Sequence, residues 1–530
     1  MTQSGMDPGR DQTRSKAMTL HDSELPTERL FINGAWCDAS DGQTHDVVAP
    51  ATGETIARIA SATSADVDRA VRAARDAYDN GPWPHTPHYE RARILHKIAD
   101  VIEERAFELA EIEARDGGVP IRKTTYNDIP LGLHMMRVFA ELARRSPYEP
   151  LPWNDFPTLA WSFVWRDPYG VCAQIIPWNF AFCMAVWKLG PALATGNTVV
   201  FKPSSLAPLT SIELFKMIES TGLLPRGVIN LVTGPGSQAG EDLVNHRLVD
   251  KVAFTGSTEV GRKIMAQAAP HIKKVTLELG GKSPSILLPD ADLDKAIDGV
   301  LFGMFYHAGQ LCEAGTRCFV HTSLYDQVVE RLVARARQLR IGDPMELDTD
   351  IGPLISFAQR DRVEGYIKLG REEGARLVLG GGRPEGELFD KGPYLEPTIF
   401  THVDNRSRLA QEEIFGPVLA VIRYDEIGDA ITMANDTMYG LACSIWSQDI
   451  QQAIEVAKRI RAGTVWINDH HVLNPYAPFG GFKESGVGRE MGVAGLLEYT
   501  EPKHIHVDFQ QRRSGKLWWD ALLPPENEHE

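Results

Sequence analysis

Between residues 171 and 278 the chain alternates short apolar runs with helical stretches, and this alternation narrows its fold more than any other feature. Strand candidates lie at 171–176, 198–202, 228–232, 251–254 and 274–278, with helices starting near Met184, Thr210, Ala239 and Glu259. Strands separated by helices of this length predict a parallel sheet wound by right-handed crossovers. A second α/β series runs from 285 to about 482, so the expected class is α/β with two nucleotide-fold-sized units. Upstream, 30–36 and 47–60 read as short strands around the turn Ser40-Asp41-Gly42. One long helix is expected from Ile94, Leu95, Ile98, Val101, Ile102, Leu109 and Ile112, which repeat at the helical period.

A chain of 530 residues is too long for one core. Acidic residues outnumber basic ones 71 to 55, giving a net charge of −16. That sign argues against nucleic acid and anionic membranes as partners. The six cysteines, Cys37, Cys172, Cys183, Cys312, Cys318 and Cys443, form no C-x-x-C pair and read as reduced thiols. Residues 1–28 read as a flexible leader without an apolar signal segment. The uncharged stretch 168–187 carries Gln174, Pro177 and Asn179 at its centre, so a buried strand, loop and helix start is expected there. The compartment implied is cytoplasmic, and no His/Cys cluster has the spacing of a metal site.

Four segments carry possible chemistry. Cys312 lies in a glycine-bracketed loop, and a thiol is a good nucleophile once its proton is removed. Glu278 ends a strand and precedes Leu279-Gly280-Gly281-Lys282, where small residues permit close approach. Asn179, in Pro177-Trp178-Asn179-Phe180, follows the first strand of the alternating region. Ligands of open α/β sheets bind at such strand ends, although a helix-capping role fits equally well. Phe254-Thr255-Gly256-Ser257 passes from strand to helix with a glycine and hydroxyls, a place for phosphate or an ordinary cap.

Together these segments resemble the aldehyde dehydrogenase superfamily from about residue 30 to 507. Lys202-Pro203-Ser204, Glu413-Ile414-Phe415-Gly416-Pro417, 463–468 and Pro478-Phe479-Gly480-Gly481 extend the match. The resemblance implies Cys312 as nucleophile, Asn179 with the Cys312 N–H as oxyanion donors, and Glu278 as the base that activates water on a thioester. It implies NAD or NADP as cofactor, held by Ile176, Pro177, Trp178, Lys202, Ser204, Ser205, Gly236, Phe254, Thr255, Gly256, Ser257, Leu279, Glu413 and Phe415. Many NAD-preferring members carry an acidic residue where this chain has Ser205, so NADP is expected to be accepted. The substrate pocket implied is Phe180, Met184, Trp187, Tyr306, Leu311, Glu313, Leu473 and Phe479, which suits a medium aliphatic or aromatic aldehyde. Glu313 and the pair His470-His471 are polar exceptions whose character favours the surface.

The family architecture implies a discontinuous Rossmann-type cofactor-binding domain (29–147 and 167–279, with a return at 483–498). It also implies a catalytic domain at 280–482. A β-hairpin oligomerisation arm at 148–166 and 499–511 implies a homodimer or homotetramer. Residues 512–530 form a C-terminal extension whose Trp518-Trp519 is expected to pack over a tunnel mouth of the same or a neighbouring subunit. A coenzyme A-acylating enzyme and an inert scaffold share this fold. The presence of Glu278 disfavours the first, and the intact Cys312, Glu278 and Asn179 disfavour the second.

Overall fold

The computed structural model describes residues 25–145, 147–156 and 158–523. Most of the expected leader lies outside these residues, but Thr27–Glu28, at its end, pairs as a strand with Thr55–Ala60 rather than forming part of a flexible segment. The two N-terminal strand candidates are each a pair of strands. Leu30–Ile32 turns at Asn33-Gly34 into Ala35–Cys37, and Thr44–Val48 pairs antiparallel with Thr55–Ala60. The expected long helix is two, His88–Glu104 and Ala106–Gly117, broken at Arg105.

The alternating region forms the parallel centre of an eight-stranded sheet. Val171–Ile175 lies in the middle, with Thr198–Lys202 and then Ile229–Leu231 on one side, and Lys251–Thr255 and then Lys274–Glu278 on the other. The chain therefore reverses its direction of winding between Val171–Ile175 and Lys251–Thr255, which opens a crevice at their carboxyl ends. The uncharged stretch is the strand Val171–Ile175, a loop and the helix Ala181–Thr195, whose residues are buried from Ala181 to Ala194. Among the described residues no helix is long and apolar enough to cross a membrane.

A second, seven-stranded sheet follows. Pro284–Leu287 sits between Arg317–His321 and Ala442–Trp446, all parallel, with Val418–Tyr424, Thr398–Thr401 and Thr464–Ile467 beyond them. Only the edge strand Arg376–Leu379 runs antiparallel. The two sheets are joined through the loop after Glu278, and a buried guanidinium fixes its far end. Arg317 donates to the carbonyls of Lys282 (2.9 Å), Met433 (3.1 Å) and Ala434 (2.8 Å) and to Asn405 Oδ1 (3.1 Å). Burial pulls its pKa down to about 10, still high enough to keep it charged at neutral pH.

Ala160–Pro168 pairs antiparallel with Thr500–Asp508 along its whole length, and Tyr148–Pro150 adds a third strand. Trp153 and Phe509 stack at 5.8 Å on this small sheet and remain exposed, as do Phe156 and Leu159. The C-terminal extension folds back on the same sheet. Lys516 pairs with Asp508 and lies over the rings of Trp518 and Trp519 at 5.5 and 5.6 Å. Within its own chain the tryptophan pair therefore lies beside the three-stranded sheet and lines none of the cavities described below, so of the expected placements the mouth of the same subunit is not the one it takes.

Replacing Arg317 by Met removes a donor from the carbonyls of Lys282, Met433 and Ala434; Met433 O keeps the Asn405 amide, and each of the other two costs about 1–3 kcal/mol when left unpaired. Urea unfolding of Arg317→Met should show a loss of about 3 kcal/mol or more; a loss under about 1 kcal/mol would mean that the loop is held by something else.

Candidate active site

The crevice between the two sheets contains a cavity of about 190 Å³. Its walls include Pro177, Trp178 and Asn179 from one switch-point strand, Thr255, Gly256 and Ser257 from the other, and Glu278 and Leu279 from the third. Cys312, Glu413 and Phe415 come from the second sheet's side, and Met184 from the buried helix. Segments far apart in sequence thus meet at one place because parallel strands deliver their carboxyl ends to the same edge.

Cys312 is reached through a backbone bend. His307, Ala308 and Gly309 are all left-handed, with φ of 52°, 54° and 72°. Gln310 pins this turn: its Nε2 donates to His307 O at 3.2 Å, and its Oε1 accepts from the Ile355 N–H at 2.9 Å. Asn179 Nδ2 donates to the Gln310 carbonyl at 2.9 Å, which fixes the amide beside the cysteine loop. It caps nothing; the N-cap position of the following helix is Phe180, which makes no side-chain cap bond.

The double glycine after Glu278 has a visible cause. A Cβ on Gly280 would fall 2.2 Å from Glu413 Oε2, and one on Gly281 would fall 2.4 Å from the Cys312 carbonyl oxygen. The small residues thus admit the close approach of Glu413 and of the cysteine loop. Gly281 N–H donates to Glu413 Oε1 at 3.2 Å. Burial raises the Glu413 carboxyl to about 7. Glu278 is also buried, and neither of its oxygens has a partner. Burial, reinforced by Glu490, pushes its carboxyl well above the usual range.

The remaining cofactor candidates lie along the same sheet edge, Thr255 and Ser257 on the cavity wall and the others outside it. Lys202, paired in register with Ile175, is buried, donates to Pro203 O at 3.0 Å, and has its pKa lowered to about 8 by burial. Ser204 accepts from the Leu206 N–H, and Ser205 is half-buried. Gly236 opens a turn where a Cβ would meet nothing within 4 Å. Ile176 and Phe254 are buried behind the edge. Ser257 caps the helix Thr258–Ala268, accepting from the Val260 N–H at 3.4 Å. Thr255 Oγ1 is buried without a partner.

On the other side of Cys312 a narrow pocket is walled by Phe180, Met184, Trp187, Leu473, Phe479 and Glu313. Trp187 and Phe479 meet edge-on at 5.2 Å. This pocket borders a wide outer cleft of about 840 Å³ that contains Tyr306 and Leu473. Leu311 lines neither space; it is buried in the core. The surface expectation for Glu313, His470 and His471 fails, since all three are buried. Cys312 Sγ–H donates to Glu313 Oε2 at 2.9 Å, and His471 Nδ1 bonds the other Glu313 oxygen at 2.5 Å.

Sequence reasoning missed two residues, Gln359 and Arg362. Both lie on the helix Phe357–Glu372 and line the cavity. Gln359 Nε2 donates to Ile414 O and Phe415 O, and Arg362 donates to Glu413 O at 2.7 Å, so together they hold the Glu413–Phe415 segment. Nothing in an ordinary surface-helix pattern signals this.

Among the described residues no group of three His, Cys, Asp or Glu is placed to hold a metal ion. The family model for the "Aldehyde dehydrogenase family" matches residues 36–505. A betaine aldehyde dehydrogenase of Bacillus subtilis is 44% identical over 486 residues, covering 91% of this chain and 97% of that one. The crystal structure of Staphylococcus aureus betaine aldehyde dehydrogenase with NAD+ superposes with a TM-score of 0.89 at 39% identity, over 92% of this chain and 95% of that one. An NAD+ complex of a Bacillus cereus aldehyde dehydrogenase gives 0.88 at 44% identity, over 91% and 97%. With this match over most of its length, and with a thiol, a free carboxyl and an amide gathered at the switch point, the chain belongs to the aldehyde dehydrogenase family.

Proposed function

We propose that the chain oxidises an uncharged medium aliphatic or aromatic aldehyde to its carboxylate with NAD+, and that it also accepts NADP+. The observation that carries this reading is the position of Cys312. It lies where the cavity at the sheet edge meets the narrow apolar pocket, with the unpartnered Glu278 carboxyl on the cavity side. The edge suits a dinucleotide: a capped helix start at Ser257, an unpartnered Thr255 hydroxyl, the buried amine of Lys202 and open space at Gly236. Trp178 and Phe415, edge-on at 5.4 Å, and the carboxylate of Glu413 would hold its nicotinamide end. The cofactor supplies the hydride acceptor.

In this reading Cys312 loses its thiol proton to solvent, its thiolate Sγ attacks the aldehyde carbon, and the carbonyl π pair moves onto oxygen. Asn179 stabilises that oxyanion together with the Cys312 N–H; losing one such donor costs about 10²–10³ in rate. Glu278 then takes a proton from the water that cleaves the thioester. Phe180, Met184, Trp187, Leu473 and Phe479 supply apolar walls, and the one carboxylate among them, Glu313, is already engaged by Cys312 and His471. The three-stranded sheet with its exposed Trp153, Phe156 and Phe509 would be buried between subunits of a dimer or tetramer. The buried thiols Cys172, Cys183, Cys318 and Cys443 favour the cytoplasm.

NADH absorbance with an aldehyde panel tests the chemistry. Cys312→Ala should abolish turnover, whereas Glu278→Gln should release about one NADH per site in a burst and then turn over about 10²–10⁴ more slowly. Burial keeps Glu278 protonated below its raised pKa, so wild-type turnover should fall as pH drops through that value, and the limb should vanish in Glu278→Gln. An undiminished steady state in Glu278→Gln would exclude it as the base. For the cofactor, Ser205→Glu should cut kcat/KM for NADP+ by about tenfold or more while sparing NAD+; equal losses with both would detach Ser205 from ribose recognition. For assembly, combining Trp153→Asp with Phe509→Asp should yield monomers in sedimentation, and an unchanged mass would place the interface elsewhere.

A further inference from the structure

The nucleophile candidate is not free. Its thiol hydrogen is engaged by the side chain of the next residue, Glu313, at 2.9 Å. That carboxylate cannot easily turn away, because His471 bonds its other oxygen. His471 is itself fixed: its backbone is left-handed (φ 64°), its ring stacks on Phe180 at 5.5 Å, and it lies 5.2 Å from Tyr306. Glu313 and His471 are both almost wholly shielded, with side chains 3% exposed.

The titratable groups facing Sγ from the surrounding elements are carboxyls. Glu278 faces it from the strand end, Glu413 from the loop before Phe415, and Glu313 from its own loop. The helix Ala181–Thr195 turns only Cys183 and Met184 into the pocket among side chains bearing sulfur or charge. From the 470–473 loop His471 makes contact through Glu313, and His470 is buried beside it. Asp128, paired with Lys123, faces His471 from behind. In a dry site, an anion in contact with a thiol opposes formation of a second anion on sulfur.

We propose that Glu313, clamped by His471, is a lock on Cys312 that keeps it a hydrogen-bonded thiol in the resting enzyme and shields it from electrophiles and oxidants until an aldehyde occupies the pocket. The inference rests on the reading of Cys312 as the nucleophile. Two tendencies accord with it. Burial, then the charge and hydrogen bond of Glu313, push the thiol well above its ordinary value. Burial resists ionisation of Glu313, but His471 and the thiol overcome it and hold the carboxyl down at about 2. Glu313 is in this sense a positioning residue: it sets the protonation and direction of the sulfur. Since only the thiolate is alkylated or oxidised readily, the lock has a direct chemical readout.

The test is the pH dependence of iodoacetamide alkylation at Cys312 in the full-length protein without cofactor, located by peptide mass. In the wild type the rate should rise with a midpoint above that of an ordinary cysteine, about 8.5. Glu313→Gln should lower that midpoint by about one pH unit or more, which makes alkylation near neutrality about tenfold faster. Inactivation by hydrogen peroxide should accelerate in parallel. Glu313→Asp, whose carboxylate is one methylene shorter, should fall between the two and serves if the Gln variant does not fold. A wild-type midpoint at or below about 8.5 overturns the lock. So does a midpoint in Glu313→Gln that stays put or rises, which would make Glu313 an assisting base instead. The premise has a separate control: if protein fully alkylated at Cys312 still oxidises aldehyde, the nucleophile reading fails, whereas loss of turnover with an unmoved midpoint removes only the lock.

Discussion

Five residues, Leu279–Ser283, join the last parallel strand of one sheet to the first strand of the other, and the site depends on how tightly they pass. The link is too short to wander, so the carboxyl at its start must lie against whatever the second sheet presents. Two adjacent glycines let Glu413 and the Cys312 loop press to distances that no side chain would allow. Arg317 then anchors the Lys282 carbonyl from below. A slack link would leave the sheets intact and still let the Glu278 carboxyl drift from the thiol, and a misplacement of about 1 Å can cost 10²-fold in rate where two groups act together.

The electrostatics of the site follow from its dryness. Three carboxyls surround one thiol, and burial penalises the charge on each. Glu278 and Glu413 answer by rising toward neutrality, whereas Glu313 remains charged because His471 and the thiol both bond it. The groups are thus differentiated by their partners, although all three are glutamates around one thiol. This matters for the proposed division of labour: a carboxyl with both oxygens unpartnered has room for water, and one with both oxygens engaged does not.

The fold was legible where physical periodicity is strong. Alternating apolar runs and helices imposed the parallel sheet, and the ends of the expected strands marked Asn179, Ser257 and Glu278; that these ends meet at one switch point follows only from the strand order. Legibility ended where a residue acts through a single long-range bond. Arg105 breaks a helix whose apolar period continues across it, so the pattern gave one element where there are two. Gln359 and Arg362 grip a loop more than fifty residues away from a helix surface of ordinary composition. His471 and Glu313 look like surface polarity because local sequence cannot show that each supplies the partner that makes the other's burial tolerable. Leu311, the reverse case, has the chemistry of a pocket wall and is spent in the core.

The backbone around the site also carries strain. His307, Ala308, Phe415 and His471 all have φ between 52° and 64°, where a side chain is disfavoured, and three of the four line the cavities. Such conformations cost of order 1–3 kcal/mol each and persist only where their surroundings over-determine them. Here they do: Gln310 grips His307, Gln359 grips the Phe415 carbonyl, and Glu313 with Phe180 holds His471. The grips are side-chain amides and a carboxylate, groups that would cost free energy themselves if buried alone. Strained backbone and buried polar side chain therefore satisfy each other's requirements, and removing either leaves the other without a reason to stay. This reciprocity explains why Glu313 and His471 beside the thiol are found on loops, where the backbone can be bent to meet them, while Met184 and Trp187 reach the pocket from a regular helix that needs no such support.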